Sequence, residues 1–311
     1  MILISFVIPA YNAGLYIEAC IDSIYRVKMG SYEREVIVVN DGSTDDTAEV
    51  LKRLTQIHPD LIVMNQPNQG QSVARNVGMR HARGKYIYFA DADDEIDVPN
   101  ASLFPFDCLE KEDIDLYGVN LNAVEKRGKV PYRRYQPQYN LVYRPAREFL
   151  RDRNLQPCPC AYLYRRAFLE AEGLTFHEGI HHEDEEWAPV VFLKAASFKP
   201  LDVDFYLRYY RDESTTRTQD LQKQQRNLLD MLTVIETLDN VSKKNPELQT
   251  YLAYKLDYLC VDLLILMSRY KSNPELKKQI AHSLKTMGYL PLRKHKEWKY
   301  RLFRLYTRCI Y

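Results

Sequence analysis

Between Ile2 and Ala90, four short apolar runs alternate with three segments of helical period, and every run ends in a polar loop. Ile2 to Ile8 is unbroken by charge and stops at Pro9, and Ile17, Ile21 and Ile24 follow at helical spacing. Val36 to Val39 is a β-branched run suited to a strand buried on both faces. Ser43 or Thr44 is placed to cap the next helix, with Asp45 and Asp46 in its first turn and Val50, Leu54 and Ile57 as its inner face. Leu61 to Met64 reads as a third strand, Ser72 to His81 as a third helix and Tyr86 to Ala90 as a fourth strand. This βαβαβαβ order predicts an α/β fold, a Rossmann-like and mostly parallel central sheet flanked by helices. Its ligand site should lie beyond the carboxyl ends of the strands.

Those ends carry the unusual residues: "PAYN", "NDGSTDD", "NQPNQG" and "DADD", in strand order. Tyr11 can stack on a base, and Asp41, ahead of Gly42, can accept from a nucleobase imide or a ribose hydroxyl. Asn68, Gly70, Arg75 and Asn76 lie at a helix start, where N–H groups and a guanidinium suit an anionic or polar ligand. Asp91, Asp93 and Asp94 follow a strand directly, and carboxylates two apart at such a point can converge on one hard cation. Taken singly, each has a plain alternative: a packed Tyr, a turn Asp, a surface Arg, a solvated acidic turn.

Past Ile114 the pattern is mixed. "IDLYGVNLNAVEKRGKV" reads as a strand pair around Arg127-Gly128, and the Tyr-, Arg- and Pro-rich "PYRRYQPQYNLVYRP" as an irregular loop. Later, Leu228, Leu232, Ile235 and Leu238, then Leu252, Leu256, Leu259, Leu263 and Leu266, recur at spacings of three and four and predict two amphipathic helices. The expected division is residues 1–215 and a helical region 216–311.

Charge and cysteine narrow the class. Lys and Arg number 43 against 42 Asp and Glu, which gives no basis for nucleic-acid binding. The balance is uneven, with a local +6 over residues 291–311. There Trp298, Leu302, Leu305 and Cys309 share a face beside Arg301, Arg304 and Arg308, a segment able to lie on an anionic bilayer or to dock as a terminal helix. The six cysteines are scattered and do not spell a disulfide or zinc framework. The N-terminal apolar run lacks a basic leader and reads as a strand. No apolar run reaches the roughly 18 residues of a spanning helix. A cytoplasmic protein is expected, peripheral at the inner membrane face if the basic segment binds there.

"HEGIHHEDEE" at 177–186 admits two chemistries. His177 to His181 spells H-E-x-x-H, which binds zinc only when both histidines share one helical face. Gly179 breaks that phasing, and a third ligand at the longer spacing would need Gly and His where Asp184 and Trp187 stand. The acidic half can instead supply a general base from the start of a helix near Glu183.

Together "FVIPAYNAGLYIEACIDSI", "EVIVVNDGSTDDT", "NQGQSVARNVGMRHARGKYIYFADADDEI", "HEDEEW" and "YYRDEST" resemble the inverting glycosyltransferases of family 2, whose nucleotide-sugar-binding fold is called GT-A. The match runs in order over about residues 2–216. The resemblance implies a nucleotide-diphosphate-sugar donor of the UDP-linked kind, a glycan or lipid-linked acceptor, and Mn²⁺ or Mg²⁺. It implies donor binding by Pro9, Tyr11, Asn12, Asp41, Asn68, Gly70, Arg75, Asp91 and Ala92. Asp93 is the implied metal ligand, with Asp91 or Asp94 as a companion, and Arg211 and Ser214 return toward the phosphates. In the family an acidic pair some ninety residues after D-x-D contributes the base; here Asp184 stands 91 positions after Asp93, with Glu183 beside it. Two other classes share parts of this pattern. A sugar-nucleotide nucleotidyltransferase would want a basic Gly-rich loop after the first strand, and "PAYNAGLYIE" has no Lys or Arg. A binding module without turnover is the other.

Overall fold

The computed structural model describes residues 1–125, 128–131, 138–151, 155, 157–210, 220–270 and 273–290. It divides into two units, one of Met1–Phe149, Gln156–Gly179 and Val190–Arg211, the other of Leu150–Leu155, Ile180–Pro189 and Asp212–Tyr311. Position 215, the expected boundary, lies outside the described residues. The second unit also gathers two earlier stretches whose sequence carries no sign of that grouping.

In the first unit, β1 (Ile2–Ala10), α1 (Ile17–Arg26), β2 (Glu33–Asp41), α2 (Thr47–Ile57), β3 (Leu61–Gln66), α3 (Gln71–His81) and β4 (Tyr86–Phe89) follow in order. The strands lie β3-β2-β1-β4, all parallel, with Val7 beside both Ile37 and Phe89. Phe6, Val7, Ile8 and Val36 to Val39 are fully buried, as a strand covered on both faces requires. Each such side chain contributes about 1.5–3 kcal/mol. Helix α3 lies close on β1, because a Cβ on Gly78 would come within 2.4 Å of Val7 Cγ1.

Helix α2 departs from expectation. Its buried face is Thr47, Leu51 and Leu54, while Ile57 is 57% exposed. The helix begins at Thr47, its inner stripe shares only Leu54 with the expected one, and neither Ser43 nor Thr44 caps it. Both are drawn instead into contacts with the first loop.

At the turn before β4, a buried carboxylate ties the strands together. Glu35 accepts from Ser5 Oγ at 2.7 Å, from Arg83 N at 2.9 Å and from Arg83 Nε at 2.7 Å, and Gly84 N donates to Ser5 Oγ at 2.8 Å. Burial opposes the charged form, but these donors outweigh it and hold the Glu35 carboxyl below its ordinary value.

The sheet continues in mixed sense. After β5 (Glu95–Ile96), α4 (Val98–Ala101) and α5 (Asp107–Lys111) come β6 (Leu116–Glu125), β7 (Gly128–Pro131), β8 (Tyr162–Arg165), α6 (Arg166–Ala171), α7 (Glu183–Lys194) and β9 (Phe198–Tyr209). The order is β3-β2-β1-β4-β8-β6-β9-β5, with β7 paired to β6 as the predicted hairpin. Strand β8 is antiparallel to β4 and β6, β6 is parallel to β9, and β5 is antiparallel to β9.

In the second unit, α8 (Leu221–Lys244) and α9 (Gln249–Arg269) bury the expected Leu228, Leu232, Ile235, Leu238, Leu252, Leu256, Leu259 and Leu263. Leu264 and Met267 are buried in place of Leu266. Asp220 caps α8 by accepting from Gln222 N and Lys223 N. A further helix, α10 (Pro274–Thr286), lies within the expected helical region and buries Ile280, Ala281 and Leu284. No described helix is long and apolar enough to cross a membrane. Residues 291–311 lie outside the described residues.

Candidate active site

The loops at the carboxyl ends of β1 and β2 are laced together. Asn12 turns with φ 50°, and its Oδ1 accepts from Thr44 N at 2.8 Å while its own N–H donates to Ser43 Oγ at 3.0 Å. Ala13 N donates to Thr47 Oγ1 at 2.8 Å and Gly14 N to Asp45 Oδ2 at 3.1 Å. Pro9 and Ala10 are buried at the end of β1, and Tyr11 follows at 52% exposure.

Asp41, buried at the end of β2, holds the third loop. Its Oδ1 accepts from Gln66 Nε2 at 2.7 Å and Gln69 N at 2.9 Å, and its Oδ2 accepts from Gly70 N at 2.8 Å. Gly42 has φ 69°, and a Cβ there would stand 2.6 Å from Asn68 N, so this turn can be made only by glycine. Asn68 and Gly70 are exposed on the loop that results.

The acidic turn after β4 closes the edge. Arg75, buried on α3, donates from Nη2 to Asp91 Oδ1 at 2.9 Å, and its guanidinium lies 5.2 Å from the centre of the Phe176 ring. Gln71 Nε2 reaches the same Asp91 oxygen at 3.2 Å. Asp91 and Asp93 are half-buried and Ala92 is buried. Asp94 turns inward: it is 4% exposed and accepts from Tyr206 Oη at 2.9 Å and Tyr209 N at 2.8 Å. Burial, together with the neighbouring Asp91 and Asp93, pushes its pKa up to about 8. Tyr206 Oη also accepts from Asp91 N at 2.9 Å, so one hydroxyl spans the turn. Cys20 Sγ lies 3.5 Å from Asp91 O and Cys160 Sγ 3.7 Å from Asp91 Oδ2. Burial first and the adjacent carboxylates next keep the Cys20 thiol protonated.

Among the described residues no group of three or more His, Cys, Asp or Glu is arranged to hold a metal. One or two carboxylates can also hold Mg²⁺ or Mn²⁺ where phosphate oxygens supply further ligands, and Asp91, Asp93 and Asp94 are the carboxylates of this turn. Asp94, committed to Tyr206 and Tyr209, is the least suited of the three.

Residues 177–181 are not helical; Gly179 has φ 78°, His182 has φ 65°, and α7 begins at Glu183. The phasing that H-E-x-x-H requires is therefore absent. Glu183 is buried and Asp184 half-buried, and Asp184 Oδ1 accepts from Glu185 N at 2.9 Å. Both fall in the second unit, as do His181 and His182. Burial holds His182 below the usual histidine range against the pull of Glu185 and Glu183. Arg211 and Ser214 lie outside the described residues.

Sequence reasoning missed Tyr206, Gln71 and Cys160. Tyr206 sits in a strand with Phe205 and Leu207 on either side, where nothing distinguishes it from a packing residue, and Cys160 is one of six scattered cysteines with no motif around it.

The pattern of the family described as Glycosyl transferase family 2 matches residues 5–172. The chain belongs to this family. It is 30% identical over 220 residues to the uncharacterized glycosyltransferase YibD of Escherichia coli strain K12, a match covering 69% of this chain and 63% of that protein. In fold it is similar to S. aureus TarS 1–349, solved in complex with UDP-GlcNAc (TM-score 0.65, 20% identity, 93% of this chain and 81% of that one). It is also similar to the mannosyltransferase PcManGT from Pyrobaculum calidifontis, solved with GDP-Man and Mn²⁺ (TM-score 0.52, 16% identity, 98% of this chain and 86% of that one).

Proposed function

We propose that this family 2 chain is a metal-dependent, inverting glycosyltransferase that moves a sugar from a UDP-linked donor to a hydroxyl of a surface or extracellular glycan or its lipid-linked precursor. The observation that carries the reading is the lacing of four strand-end loops into one edge, in which Asp41 holds Gly70 and Arg75 holds Asp91. Such an edge is a preorganised seat for a nucleotide. The ligands named for the solved relatives, UDP-GlcNAc and GDP-Man with Mn²⁺, support the donor class.

In this reading the exposed ring of Tyr11 stacks on the base. Pro9, Asn12, Asp41 and Asn68 shape the nucleoside pocket, while Gly70, Arg75, Asp91 and Ala92 face the ribose and phosphates. Asp93, with Asp91, would hold Mn²⁺ or Mg²⁺, which supplies charge neutralisation to the diphosphate. Arg211 and Ser214 add phosphate contacts. The acceptor oxygen bonds to the anomeric carbon as the bond to the diphosphate breaks on the opposite face, and Asp184 takes the acceptor's proton. Glu183 is the neighbouring carboxylate, and residues 291–311 give peripheral membrane contact.

The test is a panel of nucleotide sugars screened by thermal shift and UDP release, with and without Mn²⁺, on the wild-type chain and on Asp184→Asn. A UDP-sugar should raise the unfolding temperature of both proteins, and the substitution should lower transfer by about 10²–10⁴-fold. The anomeric proton of the product, read by NMR, should report inversion. Stabilisation by Zn²⁺ alone, lost on His177→Ala or His181→Ala, with no response to any nucleotide sugar, would overturn the reading.

A further inference from the structure

We infer that the helical unit sets the position of the candidate base, with Asp230 on α8 and Lys255 on α9 acting as positioning residues for Asp184. The inference rests on the reading of Asp184 as the base. Residues 180–189, which carry Asp184, group with these helices. Asp230, its side chain 4% exposed, accepts from His181 N at 3.0 Å and His181 Nδ1 at 2.8 Å, and Arg226 Nε holds the same carboxylate at 2.8 Å. Lys255, its side chain also 4% exposed, forms an ion pair with Glu185.

Asp184 thus stands between two anchors, three residues after one and one residue before the other. Between them His182 takes φ 65°, a backbone conformation that a side-chain-bearing residue adopts only when its surroundings hold it. Both anchors are buried charges inside otherwise leucine-rich helices. Burying a charge is costly, and an apolar pair would fill the space more cheaply, so these pairs fit a role in geometry better than one in stability alone. Lys255 also places a cation beside the run Glu183, Asp184, Glu185, Glu186, offsetting the repulsion of four consecutive carboxylates. The reach of such a pair is large in rate terms, since a shift of about 1 Å in a reacting group can cost around 10²-fold.

The test uses full-length chains carrying Asp230→Asn, Lys255→Met or Lys255→Arg, each in the wild-type and the Asp184→Asn background. Turnover is followed with the UDP-sugar that the panel selects, and UDP binding with Mn²⁺ by calorimetry. Asp230→Asn and Lys255→Met should lower kcat by about 10–100-fold. They should leave the donor KM and the stoichiometry of UDP binding unchanged, and Lys255→Arg should recover most of the loss. In the Asp184→Asn background the same substitutions should cost nothing further, because residues that act through one group are not additive with its removal. Equal losses in both backgrounds, or failure of all three variants to fold, would mean a general structural role and overturn the inference. Unchanged kcat in the anchor variants beside a crippled Asp184→Asn would overturn the inference and leave the base assignment standing. Full turnover by Asp184→Asn would overturn both.

Discussion

Asp41 accepts a hydrogen bond from the backbone N–H of Gly70 at 2.8 Å, so a carboxylate at the end of one strand holds the residue just before the helix that follows its neighbour. Removing it leaves the Gln69 and Gly70 N–H groups without that acceptor. Asp41→Ala should therefore lose about 1–3 kcal/mol in urea unfolding. The same variant should bind UDP about tenfold more weakly by calorimetry, since the loop that it shapes is no longer preorganised.

Gly42 and Gly30 both have positive φ, 69° and 66°, but only Gly42 faces a neighbour that a side chain would strike. Gly30→Ala should cost about 1–2 kcal/mol, the conformational penalty alone. Gly42→Ala should cost more, because its Cβ meets the Asn68 backbone and must move the loop. Chemical unfolding of the two variants side by side measures the difference.

Glu35 makes acid stability predictable. Its folded pKa lies below the ordinary 4.5, so the native state binds its proton less readily than the unfolded chain does. The stabilisation is fully present above about pH 5 and is lost as pH falls through the folded value. Glu35→Gln should be less stable at pH 7 by about 1–3 kcal/mol. Its unfolding free energy should also vary less with pH below 4.5 than the wild type's, as read by denaturant melts across that range.

Asp93 and Asp94 are neighbours with opposite expected phenotypes. Asp93→Asn should weaken the Mn²⁺-dependent part of UDP binding by about tenfold or more, read by calorimetry with and without Mn²⁺. Asp94→Asn, which replaces a buried carboxyl already pushed up to about 8, should instead retain more of the Mn²⁺ response. Chelation with EDTA should abolish turnover in the wild type.

Much of the parallel half was legible because β-branched runs and isoleucines at helical spacing leave few other folds open. The α2 face was misread because Val50, Leu51 and Leu54 all fit a helix, and the one-residue choice among them is made by Thr47, whose hydroxyl is claimed by Ala13 N. Ser43 and Thr44 have the chemistry of caps, yet Asn12 recruits both, a contact between residues more than thirty apart that no local rule contains. Helix α10 falls in the expected helical region, but its inner face was not legible because it buries only Ile280, Ala281 and Leu284. In the site, Tyr11, Asp41, Arg75 and Asp91 were visible as residue types, whereas the pairing of Asp41 with Gly70 and of Arg75 with Asp91 was not. Asp230 and Lys255 were invisible for the same reason: a charge on an amphipathic helix reads as solvated until its burial is known.

Tyr206 bridges Asp91 and Asp94 from more than a hundred residues downstream. On the ribosome the four parallel strands emerge well before that tyrosine does, and β4 can join β1 while the acidic turn after it still lacks its support. Until Tyr206 is made, the acidic turn after β4 lacks the hydroxyl that spans Asp91 and Asp94. The turn is completed only when β9 is made, which delays its final shape until most of the sheet is in place.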